Sequence, residues 1–415
     1  MSRFRRRKGD PTPGEKEVQL GLWEAMSERA SGFVRRVAAP DPAQPAFVVL
    51  ACVLALFIIG FILQASHAAT TLGLDGYEAE VIQQARYRAA ALVCLLMGVR
   101  LGPQAFQRLI PYVFVISLFL LIAVWIPGIA KPENGSHRWV NLFGFSFQAS
   151  EFARVALVLW TADRCARMGA ERMAETRNLF PVVAIGILVC MLVFLEPDLG
   201  GSVVLLCCFF LTLWVGGAST KKAIAPLLAL AGVGGWMAFM ANEYVRSRIH
   251  TFLNGADGGQ VSDAEVAIWS GGYTGEGLGN GLSRRLGFIH QETDYVFSLV
   301  GEELGLIGML IVIGLFCSIA WFGLRMVLAI PDRFRALSAF GLLLCVLIPA
   351  LVHMMVSVGL APPKGMTLPF LSNGGTSLVM SSLACGLALG AARTRQSASA
   401  PTGSRWSPFD RIPQS

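Results

Sequence analysis

Asp294 ends the string His290-Gln291-Glu292-Thr293-Asp294 and stands, with Tyr295, directly before an apolar run. A carboxylate in that place has two uses: it can cap a helix start, or act as a general base that takes a proton from a hydroxyl. Glu292, two residues earlier, could share that proton. A second pair, Glu151 and Arg154, lies three residues apart inside another apolar run, and so shares one helix face. Charges at membrane depth are costly and face a cavity or each other. The pair is therefore either a self-neutralising strut or the polar wall of a cavity. Arginines recur near both: Arg138 beside Trp139, and Arg246 and Arg248. Guanidinium groups grip phosphate bidentately, so an anionic ligand such as a pyrophosphate fits them; Trp139 could pack on a sugar or a lipid, or anchor at an interface.

Other strings read more blandly. Asp198, in Glu196-Pro197-Asp198-Leu199-Gly200, is placed to cap the helix that follows. The glycine-rich stretch Gly271–Gly281 has no preceding strand and no Lys-Ser/Thr after it, so tight turns explain it better than a nucleotide loop. Ser372, in Leu371-Ser372-Asn373-Gly374-Gly375, belongs to a run of small polar residues that lets helices approach closely or lines a cavity. His353 suits a hydrogen bond between helices better than a metal, since the five histidines show no ligand spacing. The nine cysteines lie in or beside apolar runs and read as small buried hydrophobes.

The elements that must position these residues are membrane helices. Of the 415 residues, 54% are apolar and only 15% are charged, against roughly 25% charged in soluble domains. A soluble enzyme and a disordered chain are both excluded. The expected fold class is an all-α polytopic membrane protein with about ten transmembrane helices, at 46–66, 85–102, 108–127, 147–167, 179–195, 199–218, 223–241, 296–325, 335–360 and 369–392. The net charge of +7 gathers at an N-terminal cluster and at alternate loops, which places both termini in the cytoplasm and argues against nucleic-acid binding. The loop at 67–84 carries no Lys or Arg. Three regions follow: a basic cytoplasmic tail at 1–45, a transmembrane domain at 46–393, and a cytoplasmic tail at 394–415. The large outer loop at about 242–295, between helices 7 and 8, is expected to fold back partly as interfacial helix.

Taken in order, the motifs resemble those of the SEDS family (shape, elongation, division and sporulation). Gly135–Trp139, Ser146–Arg154, Glu196–Gly200, Ser270–Gly279, Thr293–Gly305 and Ser372–Ser377 follow its patterns in register, over about residues 46–393. Lys364-Gly365-Met366-Thr367-Leu368-Pro369 resembles the division and sporulation branch, FtsW-type rather than RodA-type. Four positions depart from the family: Glu292 stands for its His, Arg154 for its Lys, Asn373 for its Tyr, and His353 where an Asn is expected.

The resemblance implies a peptidoglycan glycosyltransferase that polymerises lipid II at the outer face of the bacterial inner membrane, during cell division. It implies Asp294 as catalytic base, Arg138, Trp139, Glu151, Arg154, Arg248, Lys364 and Ser372 as substrate-binding residues, and Glu292 as a modulator. It implies lipid II, a class B penicillin-binding transpeptidase and other divisome proteins as partners. No resident cofactor is expected, and no D-x-D pattern demands a metal; a divalent cation, Mg or Mn, is left open. The alternatives are an elongation-type polymerase, or a non-catalytic lipid II translocator or transpeptidase scaffold.

Overall fold

The computed structural model describes residues 41–393 except 72–73, 127–129, 134–135, 143–144, 174, 197, 282–292, 363 and most of 219–259. In chain order it contains α1 (Ala43–Thr71), α2 (Leu74–Phe106), α3 (Ile110–Ala123), β1 (Ala130–Glu133), β2 (Ser136–Leu142), β3 (Phe145–Gln148), α4 (Ala149–Met173), α5 (Thr176–Leu195) and α6 (Leu199–Val215). After these come α7 (Gln260–Gly271), α8 (Val296–Ala329), α9 (Arg333–Ser357) and α10 (Gly375–Ala391). The protein is a polytopic helical membrane protein. Helices α1, α2, α5, α8 and α9 are long and apolar enough to cross a bilayer, and α3, α6 and α10 are shorter apolar helices. The expected tails, the seventh span, and most of the loop at 242–295 lie outside the described residues. Within that loop α7 is helical.

The helical fold class holds, and two details differ from expectation. β1, β2 and β3 form a small antiparallel sheet in that order. Phe147 and Gln148, expected to open the fourth span, belong instead to β3, which pairs with β2 from Trp139↔Gln148 to Leu142↔Phe145. The interval 67–84 is not an open loop. Helix α1 runs to Thr71 and α2 starts at Leu74. The polar residues that hide α2 from a hydropathy reading are good helix formers, and Gln84 Nε2 donates to Glu80 Oε1 one turn away, 3.0 Å.

Arg88 shows why α2 tolerates charge. It is buried, and its guanidinium donates to the carbonyls of Phe57 (3.3 Å), Phe370 (3.2 Å) and Leu371 (3.4 Å). It thereby holds the turn before Ser372, where Phe370 takes the left-handed φ of 70°. Farther along, α2 packs backbone to backbone on α10. A Cβ on Gly386 would sit 2.3 Å from the Leu95 carbonyl oxygen, and one on Gly390 2.4 Å from that of Gly98. Glycine pairs of this kind let membrane helices touch closely, where packing replaces the hydrophobic drive.

The glycine-rich stretch turns out to be a splint. Helix α8 breaks at Gly305 (φ 65°), and the broken ladder is completed by 271–281. Leu306 and Ile307 donate their N–H groups to the carbonyls of Gly272 and Tyr273, at 3.0 and 3.3 Å. In return Glu276 and Gly277 donate to the carbonyls of Glu302 and Glu303, at 3.0 and 3.2 Å. A Cβ on Gly275 would lie 2.1 Å from the Glu303 carbonyl oxygen, so the motif needs glycine for close approach as well as for turning. The buried Glu303 carboxylate accepts from Ser66 Oγ (3.3 Å) and the Gly279 N–H (3.4 Å), tying this splint to α1.

Candidate functional site

Four chain segments meet at one end of the bundle: the start of α4, the α5–α6 turn, the residues before α8, and the 358–374 link. Asp294 is not the cap of α8; Tyr295 takes that position. Asp294 instead sets its Oδ2 against Gly365, where a Cβ would come within 2.7 Å. The 366–372 segment is pinned to the Asp294 segment twice. Ser372 Oγ donates to the Thr293 carbonyl at 2.8 Å and accepts the Leu368 N–H at 2.8 Å. His353, buried on α9, takes the Phe297 N–H on Nε2 (3.4 Å), which leaves Nδ1 to donate to the Met366 carbonyl (2.5 Å). Ser372 is thus engaged within the protein, as a positioning residue for Asp294. His353 does the same work from another helix.

Next to Gly365 stands Lys364, the centre of an ionic cluster. Its side chain lies across Gly200, where a Cβ would come 2.1 Å from Nζ. Its ammonium is 3.9 Å from Asp198 Oδ1. Asp198 also caps α6 as expected, accepting the Gly201 N–H at 2.9 Å. Glu151 and Arg154 pair directly, with Arg154 buried. Burial pulls the Lys364 ammonium down to about 8; Asp198 and Glu151 resist the shift, while Arg138 and Arg154 add to it. That one shift joins five of the charged residues to a single electrostatic neighbourhood. Four of the sequence-predicted residues meet there: Arg138, Glu151, Arg154 and Lys364.

Glu196 was read only as part of a turn, yet it is fully buried. Neither carboxylate oxygen has a hydrogen-bond partner among the described residues, and the Arg138 Nε donates to its backbone carbonyl at 3.5 Å. Burial, with Asp198 beside it, pushes its pKa up to about 8 against the pull of Arg138. Burial thus favours the protonated form of Glu196 over the carboxylate. Its burial carries this behaviour, and no sequence signal distinguishes it from an ordinary turn carboxylate.

Arg138 and Trp139 are neighbours on β2, so their side chains leave opposite faces of the strand. Arg138 serves the ionic cluster. Trp139 lines a separate cleft of about 220 Å³, with Glu80, Gln83, Tyr87, Ser146, Asn373, Gly375 and Thr376. Sequence reasoning gave Arg138 a phosphate and Trp139 a sugar, a lipid or an interface; in the structure the two side chains lie in different surroundings. Asn373 Nδ2 donates to Glu80 Oε1 at 2.6 Å and Thr376 Oγ1 to the Ser146 carbonyl at 2.9 Å, which closes α10 onto α2 and the sheet. Arg248 and Glu292 lie outside the described residues. No cluster of metal-ligating side chains occurs among the described residues.

The cluster gives a pH prediction. Lys364 is charged below about 8 and neutral above it. Affinity for inorganic pyrophosphate is expected to fall by about tenfold per pH unit above that point if the ammonium binds it. Titrating wild type and Lys364→Arg between pH 7 and 9.5 checks this, because arginine does not titrate there and ligand ionisation cancels in the comparison. Parallel curves would remove Lys364 from anion binding.

Comparison with known proteins follows the same lines. Residues 46–397 match the FtsW/RodA/SpoVE family model, described as "Cell cycle protein". A protein of Alkalilimnicola ehrlichii called "Probable peptidoglycan glycosyltransferase FtsW" is 35% identical over 316 residues, covering 74% of this chain and 78% of that protein. "Stage V sporulation protein E" of Bacillus subtilis is 31% identical over 285 residues, covering 67% and 77%. A solved structure described as "Structural coordination of polymerization and crosslinking by a peptidoglycan synthase complex" superposes with a TM-score of 0.68 at 24% identity, covering 84% of this chain and 98% of that one. Thermus thermophilus RodA superposes with a TM-score of 0.62 at 24% identity, over 84% and 97%. Both structures share the fold.

Proposed function

The chain belongs to the FtsW/RodA/SpoVE (SEDS) family, and from that membership we propose that it is a peptidoglycan glycosyltransferase of the FtsW type. It polymerises lipid II at the outer face of the bacterial inner membrane, with both termini in the cytoplasm, and serves cell division. Several relatives that are at least 30% identical carry the name peptidoglycan glycosyltransferase FtsW. Its partner is a class B penicillin-binding transpeptidase within the divisome, as the family resemblance implies.

The observation that carries the chemistry is the Asp294 carboxylate packed on Gly365, the residue after Lys364. A base from the segment before α8 and an anion-binding cation from the 358–374 link thus meet at adjacent positions, Gly365 and Lys364. In the proposed reaction the 4-hydroxyl of an acceptor lipid II attacks the anomeric carbon of the growing chain. Asp294 takes the hydroxyl proton as the new C–O bond forms. The bond to undecaprenyl pyrophosphate breaks, and the electron pair leaves with the phosphate. Lys364, Arg138 and Arg154 stabilise that developing charge from fixed positions, and Arg248 from the loop adds to them. A single displacement inverts the anomeric carbon. Glu292 modulates Asp294.

The test is a gel of glycan products from purified protein and lipid II, with and without the partner transpeptidase. Ladders support the reading. Their absence with the partner bound, together with lipid II flipping in proteoliposomes, would replace it with a translocator.

A further inference from the structure

The elbow between α2 and α3 takes no part in this mechanism. Helix α2 breaks at Gly102 (φ 65°), beside Pro103, and α3 begins at Ile110 with Pro111 in its first turn. The two helices are joined by residues 107–109 yet share no packed interface, because each is committed elsewhere. Gly98 and Gly102 of α2 touch Gly386 and Gly390 of α10. On α3, Phe114 stacks on Trp160 of α4, with ring centroids 4.9 Å apart. Gln107 fastens the elbow to α4 by donating to Asp163 Oδ1 at 3.2 Å. Both helices therefore leave apolar side chains uncovered around the elbow: Met97 and Leu101 on α2, Leu109 at the turn, and Tyr112 on α3.

Charge at the same place has one sign. Arg100 and Arg108 are exposed, and neither forms a hydrogen bond or ion pair among the described residues. No Asp or Glu occurs from 81 to 132. Asp163, the carboxylate that reaches the elbow, is buried and paired with Arg167 at 2.7 Å. Arg393, at the end of α10, donates to the Val99 carbonyl at 3.5 Å and adds a third positive charge next to Arg100. Other basic residues at this end of the bundle are placed differently. Arg333 and Arg335 donate to the carbonyls of Gly216 and Ala391, and Asp332 caps α9 beside them through the Arg335 N–H. Arg172 and Arg177 are exposed but stand among Glu171 and Glu175.

We propose that the elbow is a binding site for one anionic diacyl phospholipid, its phosphate held by Arg100 and Arg108 and its chains laid along the uncovered faces of α2 and α3. Guanidinium groups without an acidic neighbour, set beside apolar surface, match a phosphate esterified to hydrocarbon. A free phosphate would leave the apolar faces idle. A zwitterionic lipid brings a cation of its own into a corner that is already positive. In the topology proposed above this end of α2 faces the cytoplasm, so the lipid comes from the cytoplasmic leaflet. The site is separate from the ionic cluster: Asp163, to which the elbow is fastened, follows Glu151 by 12 positions on α4, about 18 Å along the helix.

The probes are phosphatidylglycerol and phosphatidylcholine with identical acyl chains, added to the full chain in a non-ionic detergent. Native mass spectrometry counts the lipids retained. Wild type should retain one phosphatidylglycerol in clear preference to phosphatidylcholine. Arg100→Gln and Arg108→Gln should each weaken phosphatidylglycerol binding by about fivefold, and the double variant should hold the two lipids alike. Thermal unfolding without added lipid should be the same in all of them, since both side chains are exposed and unbonded. Arg172→Gln/Arg177→Gln removes as much positive charge from the same end and should keep the preference. Inorganic phosphate should not displace the lipid. Equal retention of the two lipids by wild type, a preference that survives the loss of both Arg100 and Arg108, or one lost equally with Arg172 and Arg177 would overturn the proposal. So would displacement by inorganic phosphate, which would mark a free-anion site. None of these readings depends on whether the protein makes polymer.

Discussion

Asp294→Asn is expected to lower lipid II polymerisation by about 10²–10⁴-fold while leaving partner capture and thermal unfolding unchanged. A sugar hydroxyl is a poor nucleophile, and the amide cannot accept its proton. Asparagine keeps the shape of the side chain that packs on Gly365, so the loss reads the proton acceptor and not the fold. Asp294→Ala removes both and should be no more active. Ser372→Ala makes the complementary case. It retains the carboxylate but removes the hydroxyl that holds the Thr293 carbonyl and the Leu368 N–H. Its deficit should be smaller, and should lie in turnover with the pH profile unmoved, because the base itself is intact. Glycan ladders of wild-type intensity from Asp294→Asn would end the assignment of Asp294 as base. In that event the Glu292 carboxylate would be the next group to test.

The ion pair of α4 and the acid before α8 are legible from sequence because the bilayer makes charge conspicuous. Glu151, Arg154 and Asp294 each interrupt or abut an apolar run, where an unpaired charge is costly. The helices are legible for the same reason wherever the apolar run is long. The sheet is not. Its strands are four to seven residues long, and Phe145–Gln148 continues the apolar run of α4 without a break. Nor could spacing reveal what Ser372 does, since its partner Thr293 is 79 residues away and the bond goes to a backbone carbonyl. The division of labour between Arg138 and Trp139 depends on β2 being a strand. Read as a loop, the two residues have no fixed relation; read as a strand, they leave opposite faces. Glycine-rich 271–281 is a related case. Composition reveals that turns are needed, but the break at Gly305 that those turns repair is a property of a different element.

Arg154→Met should destabilise the protein by about 3–5 kcal/mol, because it leaves the Glu151 carboxylate largely buried without its cation. Unfolding driven by sodium dodecyl sulfate in mixed micelles measures it. The double variant Glu151→Leu/Arg154→Met should recover most of that loss, since two well-packed apolar side chains can replace a buried pair at little cost. If the double variant is as unstable as the single, the pair is not what Arg154 supports. Activity separates the two roles left open by the spacing of Glu151 and Arg154. A strut would let the stable double variant polymerise; a wall of the reaction cavity would not. Lys364 supplies an independent reading of the same variants. Arg154 helps push its pKa down and Glu151 helps hold it up. Removing Arg154 alone should therefore move the loss of pyrophosphate binding to higher pH, and removing Glu151 alone should move it lower. The double variant should fall between the two. A pH midpoint that ignores both substitutions would place Lys364 outside the electrostatic reach of the pair and would break the cluster into separate sites.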